Sequence, residues 1–462
     1  MPIRPQIRTL TNASVDILNA IRNSASVNYR DYVPLATADA ESIREIGSVI
    51  MDMPALQNEF ISTLVNRIAR VVITSKQYDN PWAFFKKGYL EFGEVVEDVF
   101  VALAKPFTYD PEVAETNVFK REIPNVRTTF YIMNYKKFYK VTIQNESLRQ
   151  AFLSYEGITE LIAKITESLY TSANYDEFQV MKYMLARRIL NGEMHATEVA
   201  NPTAANAKTI ASTFRATSNK FEFLNSTYNL AGVPNHATKD RQYLIINSDF
   251  DAIFDVEVLA SAFNMTKAEF LGHRVLVDGF GDLDNDRLAE IFADDDTYTP
   301  VTDDEMTALN AIPAILVDGD FFMIFDNMNE FTENYNGQGL YWNYFYHQWK
   351  TFAISPFANN TVFVPSTPAI TSVTVTPDEA TVGAGTSIQL TSTVATTGFA
   401  PQTVDWTSSV TGVTVTATGL VTIPADVTAE SVTITATSTY DDSVSDTCTL
   451  TIASASSDNT PG

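Results

Sequence analysis

Two kinds of periodicity divide the chain. From about residue 370 to residue 452, valine, isoleucine and threonine alternate in short runs: SVTVTP, TSIQLTSTV, VDWTSS, GVTVTATGLVTI, ESVTITATSTY and SDTCTLTI. Glycine, proline, aspartate and asparagine separate them. A period of two sends one set of side chains to a core and the other to water. Strands this short and evenly spaced predict an antiparallel β-sandwich of about 85 residues. Trp406, on VDWTSS, is the ring expected to fill its core, and Gly419 in ATGLVTI is expected to supply a tight turn.

Upstream the period changes. Ile158, Leu161, Ile162, Ile165 and Leu169 share one helical face, and a second stripe follows at Phe178, Met181, Leu185 and Ile189. One helix over 158–191 would run roughly 50 Å, with Gly192 as its stop. The stripe changes phase near Asn174, which leaves a kink or break there open. Strand-like runs at 242–247 and 274–278 lie farther on, so the body reads as α+β. The boundary with the tail falls at Pro365-Ser366-Thr367-Pro368. Beyond it there is no lysine or arginine, while nine acids remain. The final residues, 456–462, read as a disordered end.

Length and charge narrow the function. A chain of 462 residues suits two to four domains. Charged residues make up 19%, below the roughly one quarter of an average domain, which suits a surface hidden against other chains. A net charge of −25 repels bulk nucleic acid, against a polymerase or a transcription factor. The single cysteine, Cys448, excludes an internal disulfide and a CxxC metal site. The start MPIRPQIRTLTNAS lacks the apolar stretch of a signal peptide, and no run of 18 apolar residues occurs, so a protein made in the cytoplasm, without a membrane span, is expected.

Local features offer little chemistry. Residues 81–140 hold nine bases and eight acids, with Trp82, Phe84, Phe85, Phe92 and Phe100 among them. On charge alone this is a hairpin with a solvated face; an arm touching acidic neighbours through Trp82, Lys86, Lys87, Lys136 and Lys137 is the other reading. Residues 282–305 hold ten acids and one base. Asp282, Asp284 and Asp286 resemble the start of a calcium loop, but Arg287 and Ala293 stand where the loop needs Gly and Glu, so a solvated acidic segment is expected. His195, His236, His273 and His347 form no metal-ligand spacing, and neither a GxSxG elbow nor a GxxxxGK[ST] loop occurs, so nothing supports an enzyme, a cofactor or a metal. The aromatic run GLYWNYFYHQWKTF, 339–352, includes Tyr341, Trp342, Tyr344 and Trp349. With no basic groove beside it in sequence, it reads as core or subunit contact rather than a platform for sugars or bases.

A resemblance extends this reading. ILNAIRNS (17–24), YVPLATA (32–38), FKKG (85–88), REIPNV (121–126), LASAFNM (259–265), FLG (270–272) and GLYWNYFYHQW (339–349) resemble, in order, stretches of the major capsid proteins of phi-29-like short-tailed phages. The tail resembles bacterial Ig-like domains of group 2, which that family also carries. The resemblance implies the capsid fold of tailed phages and herpesviruses over 1–365, followed by the sandwich over 366–455. Residues 158–191 would be the spine helix of a peripheral domain, 81–140 an extended arm over a neighbouring subunit, and about 240–355 an axial domain. The acidic stretch 282–305 looks like an insertion.

The implied function is self-assembly into hexamers and pentamers of an icosahedral or prolate head. Implied partners are other copies, a scaffolding protein and a portal, with head fibres as a further candidate. Double-stranded DNA would be enclosed without sequence-specific binding, and the virion would be the location. The tail's nine acids and lack of bases, which would repel a packed genome, place it by expectation outside the shell. The rival is an Ig-bearing adhesin or glycan-binding surface protein, which would need a secretion signal and repeated modules. A glycan-active enzyme is a third option, resting only on aromatics and acids.

Overall fold

The structure, a computed structural model, describes residues 13–71, 78–91, 94–108, 121–144, 152, 157–254 and 273–453. The stretches LASAFNM and FLG and the end at 456–462 lie outside the described residues. The helical stripe folds as one uninterrupted helix, Gly157–Leu190. Asn174, where the phase changes, does not break it; its amide donates to the Tyr78 carbonyl at 2.9 Å. The phase change marks a change of partner instead. Leu169 packs with the helices Ala13–Ser24, Ala40–Asp52 and Pro54–Val71, whereas Phe178, Met181, Leu185 and Ile189 enter a second core. Gly192 ends the helix as expected. At φ +63° it donates to the Ile189 carbonyl (2.9 Å), and Glu193 donates to that of Arg188 (3.0 Å).

Two sheets flank this helix. The first has the order β1 (Lys86–Tyr89), β9 (Phe322–Asn336), β10 (Tyr341–Ile354), β4 (Tyr135–Gln144). Its inner face, including Trp342, Tyr344 and Tyr346, closes the core of the N-terminal helices. The second has the order β5 (Ala196–Glu198), β11 (Asn360–Val364), β8 (Ala314–Asp318), β6 (Gln242–Asn247), β7 (His273–Val277). It is covered on both sides: Ile245, Ile315, Val317 and Val362 meet the long helix, while Leu244, Ile246, Leu316 and Phe363 meet the helix Ala207–Phe221. Alternate residues serve opposite cores, as the pleat requires. A separate hairpin pairs β2 (Val96–Val101) with β3 (Val126–Tyr131).

Two sequence boundaries need correction. Residues 81–140 do not form one arm: β1 and β4 are strands of the body sheet, and only the hairpin between them stands apart. Residues 240–355 do not form one unit either, because β9 and β10 leave the five-stranded sheet to pair with β1 and β4. In both cases the partner strand lies far away in sequence, out of reach of a local pattern.

The tail folds as the sandwich its alternation predicts. β13 (Glu379–Gly383), β20 (Ser445–Ala453), β19 (Ser431–Ser438) and β16 (Val404–Ser408) form one sheet. β12 (Ala369–Thr376) pairs with β15 (Thr391–Thr397), and β14 (Ser387–Gln389), β18 (Leu420–Thr422) and β17 (Thr414–Val415) complete it. Val375, Leu390, Val421, Ile434 and Leu450 are fully buried inside. Gly419, at φ +81°, brings Leu390 close enough that a Cβ would lie 2.4 Å from its carbonyl oxygen. The tail docks on the end of the long helix: the Gln402 backbone donates to the Gly192 carbonyl (3.1 Å) and its side chain to that of Leu190 (3.3 Å).

Candidate assembly interface

The hairpin β2–β3 has two unlike faces. Cross-strand partners share a face, so Val99, Val101, Val126 and Phe130 stand together on one side and Asp98, Phe100, Arg127 and Tyr131 on or toward the other. The second group holds the hairpin to its own body. Asp98 accepts from Ser355 (2.7 Å) and from the Tyr131 hydroxyl (3.0 Å). Phe100 stacks on Phe357, and Arg127 donates to the Ala231 carbonyl. The first group meets water: Val99, Val101, Val126 and Phe130 are 47–60% exposed. Leu103, Phe107 and Ile123, beyond the paired residues, are exposed as well.

The residues expected to be intersubunit contacts divide. Trp82 is fully buried among Phe85, Phe178 and Phe322, so it is a core residue and not a contact. Lys86 is also committed internally, pairing with Glu177 (3.2 Å) and Asp326 (2.6 Å). Burial alone would lower the pKa of its ammonium, but the two carboxylates hold it above its ordinary value. Lys87 reaches Asp320 and the Gly319 carbonyl, each at 2.7 Å. Lys136 is exposed on β4, its ammonium 5.2 Å from the centre of the Trp349 ring, and Lys137 on the same strand is half-buried.

The expected core aromatics divide by strand parity. Trp342 and Tyr344 are buried on the inner face of β10. Tyr341 and Trp349 are only partly buried, so the expectation of a core position is corrected for these two. Trp349 faces outward, beside Lys136 of β4. Trp406 is partly buried against the tail core.

The sequence reading missed the ionic seam of the long helix. Asp176 holds Arg287 through two bonds (2.8 and 2.9 Å) and accepts from Tyr139 (2.9 Å). Glu177 pairs with Lys350 as well as Lys86, and Asn80 donates to it at 2.6 Å. Burial pushes the Glu177 carboxyl up, yet Lys350 and Lys86 bring it below its ordinary value. Lys182 pairs with Asp278 at 2.7 Å. A signal was present: Asp176, Glu177 and Lys182 interrupt the apolar stripe just after its phase change.

Several acids of the stretch 282–305 serve local caps and turns. Asp284 caps the helix Asn285–Ile291, Asp282 accepts from Asn310 (2.8 Å), and Thr302 with Glu305 closes a capping box on the helix Asp303–Asn310. Among the described residues no cluster of three metal-ligating side chains forms, and no helix is long and apolar enough to cross a membrane. The histidines lie apart. His195 bonds Thr361 (3.0 Å), His273 lies 3.0 Å from the Asp240 carbonyl, His347 bonds Thr332 (3.1 Å), and His236 lines a separate cavity.

Comparison with known proteins gives this geometry a family. The family model for the Phi29-like phage major capsid protein matches residues 18–364, and that for the bacterial Ig-like domain (group 2) matches residues 369–448. The major capsid protein of Bacillus phage B103 is 37% identical over 421 residues, covering 89% of this chain and 87% of the relative. That of Bacillus phage PZA is 36% identical over 417 residues, covering 89% and 87%. Among solved structures, a chain from the capsid of Staphylococcus phage Andhra covers 64% of this chain and 86% of its own length, at 15% identity and a TM-score of 0.49. The curated relatives are structural proteins, not enzymes. This chain belongs to the Phi29-like phage major capsid protein family: it is a structural protein of the phage head shell and carries a bacterial Ig-like domain.

Proposed function

We propose that copies of this chain join as hexamers and pentamers into an icosahedral or prolate head that encloses double-stranded DNA. The exposed face of the hairpin carries this reading. Val99, Val101, Val126 and Phe130 form an apolar surface on an element already anchored by its other face. At about 25 cal/mol per Å² such a surface favours burial, and a second copy supplies the cover. In this reading 96–131 is the arm and the long helix is the spine of the peripheral domain. The five-stranded sheet, with its strands between 196 and 364, is the axial part. The body spans 1–365 and the Ig-like domain 366–455. A scaffolding protein and a portal join during assembly in the host cytoplasm, with head fibres as a further partner. A net charge of −25 suits a wall that holds DNA without gripping its sequence. The tail, without a base, sits outside, where its charge keeps particles apart.

The test is particle formation by Val99→Asp with Phe130→Asp. The expected result is a folded protein, by its melting curve, that yields no shells under the electron microscope. Protease treatment of DNA-filled parent particles should release the tail before the body is cut. Shells from the double variant at the parent's yield would remove the hairpin from the interface; a tail cut only in opened particles would place it inside.

A further inference from the structure

β4 is an outer strand. β10 pairs with it along one side over ten residues, and among the described residues no strand pairs with the other side. A cavity of about 350 Å³ runs along that free side. Its lining takes five consecutive residues, 137–141, with Ser168, Ser172 and Arg287 opposite. Consecutive residues of a strand point to opposite faces. A cavity lined by both faces therefore sits at the strand's edge, where, among the described residues, no other strand takes the backbone groups that β10 leaves unused.

The side chains around this edge define what fits. Arg287 is held by Asp176 and Glu290, so Lys137 and Lys140 are the cations left in the lining. On the outer face Lys136, Phe138 and Lys140 stand in a row. Lys136 lies over the Trp349 ring at 5.2 Å and Lys140 over the Phe345 ring at 5.9 Å. Among the described residues neither pairs with a carboxylate. Phe138 between them is 58% exposed. We propose that the free edge of β4 docks an extended acidic segment of another protein, added as a fifth strand whose outer face presents acid, apolar and acid side chains at alternate positions. The acids would meet Lys136 and Lys140, the apolar group would meet Phe138, and main-chain hydrogen bonds would run along the edge. The proposal concerns the unassembled chain and does not rest on the hairpin.

The experiment titrates a fluorescein-labelled, capped Thr-Glu-Thr-Phe-Thr-Glu-Thr peptide into the full-length, unassembled chain, followed by anisotropy. A counterpart with Pro in place of the central Phe cannot extend a ladder. The expected result is saturable binding of the first peptide only, with slowed amide exchange over β4. Lys136→Glu with Lys140→Glu should weaken it about tenfold, two cross-strand charge pairs' worth, and Lys136→Arg with Lys140→Arg should bind like the parent. If the glutamate variant fails to melt cooperatively, the proline comparison and the exchange footprint on the parent decide. No saturable binding, equal binding of the proline peptide, or protection elsewhere would leave these lysines as mere guards of an edge strand. Displacement of the peptide by a short double-stranded DNA with the same lysine dependence would reassign the face to a polyanion.

Discussion

In the body, the long helix carries Asp176, Glu177 and Lys182 into the interior, where each meets an opposite charge brought from another element. The tail contains no lysine or arginine and can make no such pair. Its buried side chains are small and mostly β-branched, such as Val375, Val421 and Ile434, and its outward positions are largely threonine and serine. Buried ion pairs add little net stability over well-packed apolar groups, but removing one partner is costly because the other stays buried and charged. The body is thus vulnerable to single changes and to pH at a few points. The tail distributes its stability over many equivalent contacts.

The largest expected effect breaks the seam. Glu177→Ala leaves Lys350, 2% exposed, without its main carboxylate. A loss of about 3–5 kcal/mol from the body is expected. Calorimetry of the full chain should show the body transition falling steeply while the tail transition, identified with an isolated 366–453 fragment, stays put. A shift of both together would mean that the two regions unfold as one.

Acid should separate the regions next. Burial pushes the pKa of His195, between β5 and β11, down from 6.5 to about 4. The unfolded chain then binds a proton that the folded chain refuses, so stability falls as pH drops from about 6.5 towards 4, by up to about 3 kcal/mol. Glu177, whose folded pKa is lowered, adds a loss as pH falls below its unfolded value of 4.5. The tail has no histidine and should hold steady between pH 7 and 5. His195→Gln should flatten the body's upper acid limb; an unchanged limb would show that the imidazole is not its source.

A smaller effect is expected where the regions touch. Gly192, at φ +63°, would place a Cβ 2.7 Å from the Ala400 carbonyl oxygen and 2.9 Å from the Gln402 nitrogen. Gly192→Ala should cost about 1–3 kcal/mol in backbone strain and loosen the docked tail. Proteolysis at 365–368 should accelerate. An unchanged cutting rate would mean that the tail is held by other contacts.

Much of the architecture was legible in local pattern. The long helix, the stop at Gly192 and most strands of the sandwich follow from periodicities of 3.6 and 2 and from turn residues. β13 escaped because Glu379–Gly383 is short and offers only Ala380 and Val382 as apolar side chains. The site was less legible. Lys86 and Lys87 looked like free charges because their carboxylates, Glu177 and Asp320, lie 91 and 233 residues away. Trp82 looked like a contact because, of the rings that enclose it, only Phe85 is near in sequence, while Phe178 and Phe322 lie far along the chain.

By itself, then, the sequence determined the elements whose causes are local: the long helix, the short strands of the tail and which side of most of those strands is apolar, and that the tail has no base for an internal ion pair. Only the tertiary structure decided which strands share a sheet, and with that which face of GLYWNYFYHQWKTF is core and which lies beside Lys136 and Lys140. The physical reason is that strand pairing and buried charge neutralisation join positions far apart along the chain. Their free energy depends on geometry that no residue's neighbours in sequence record.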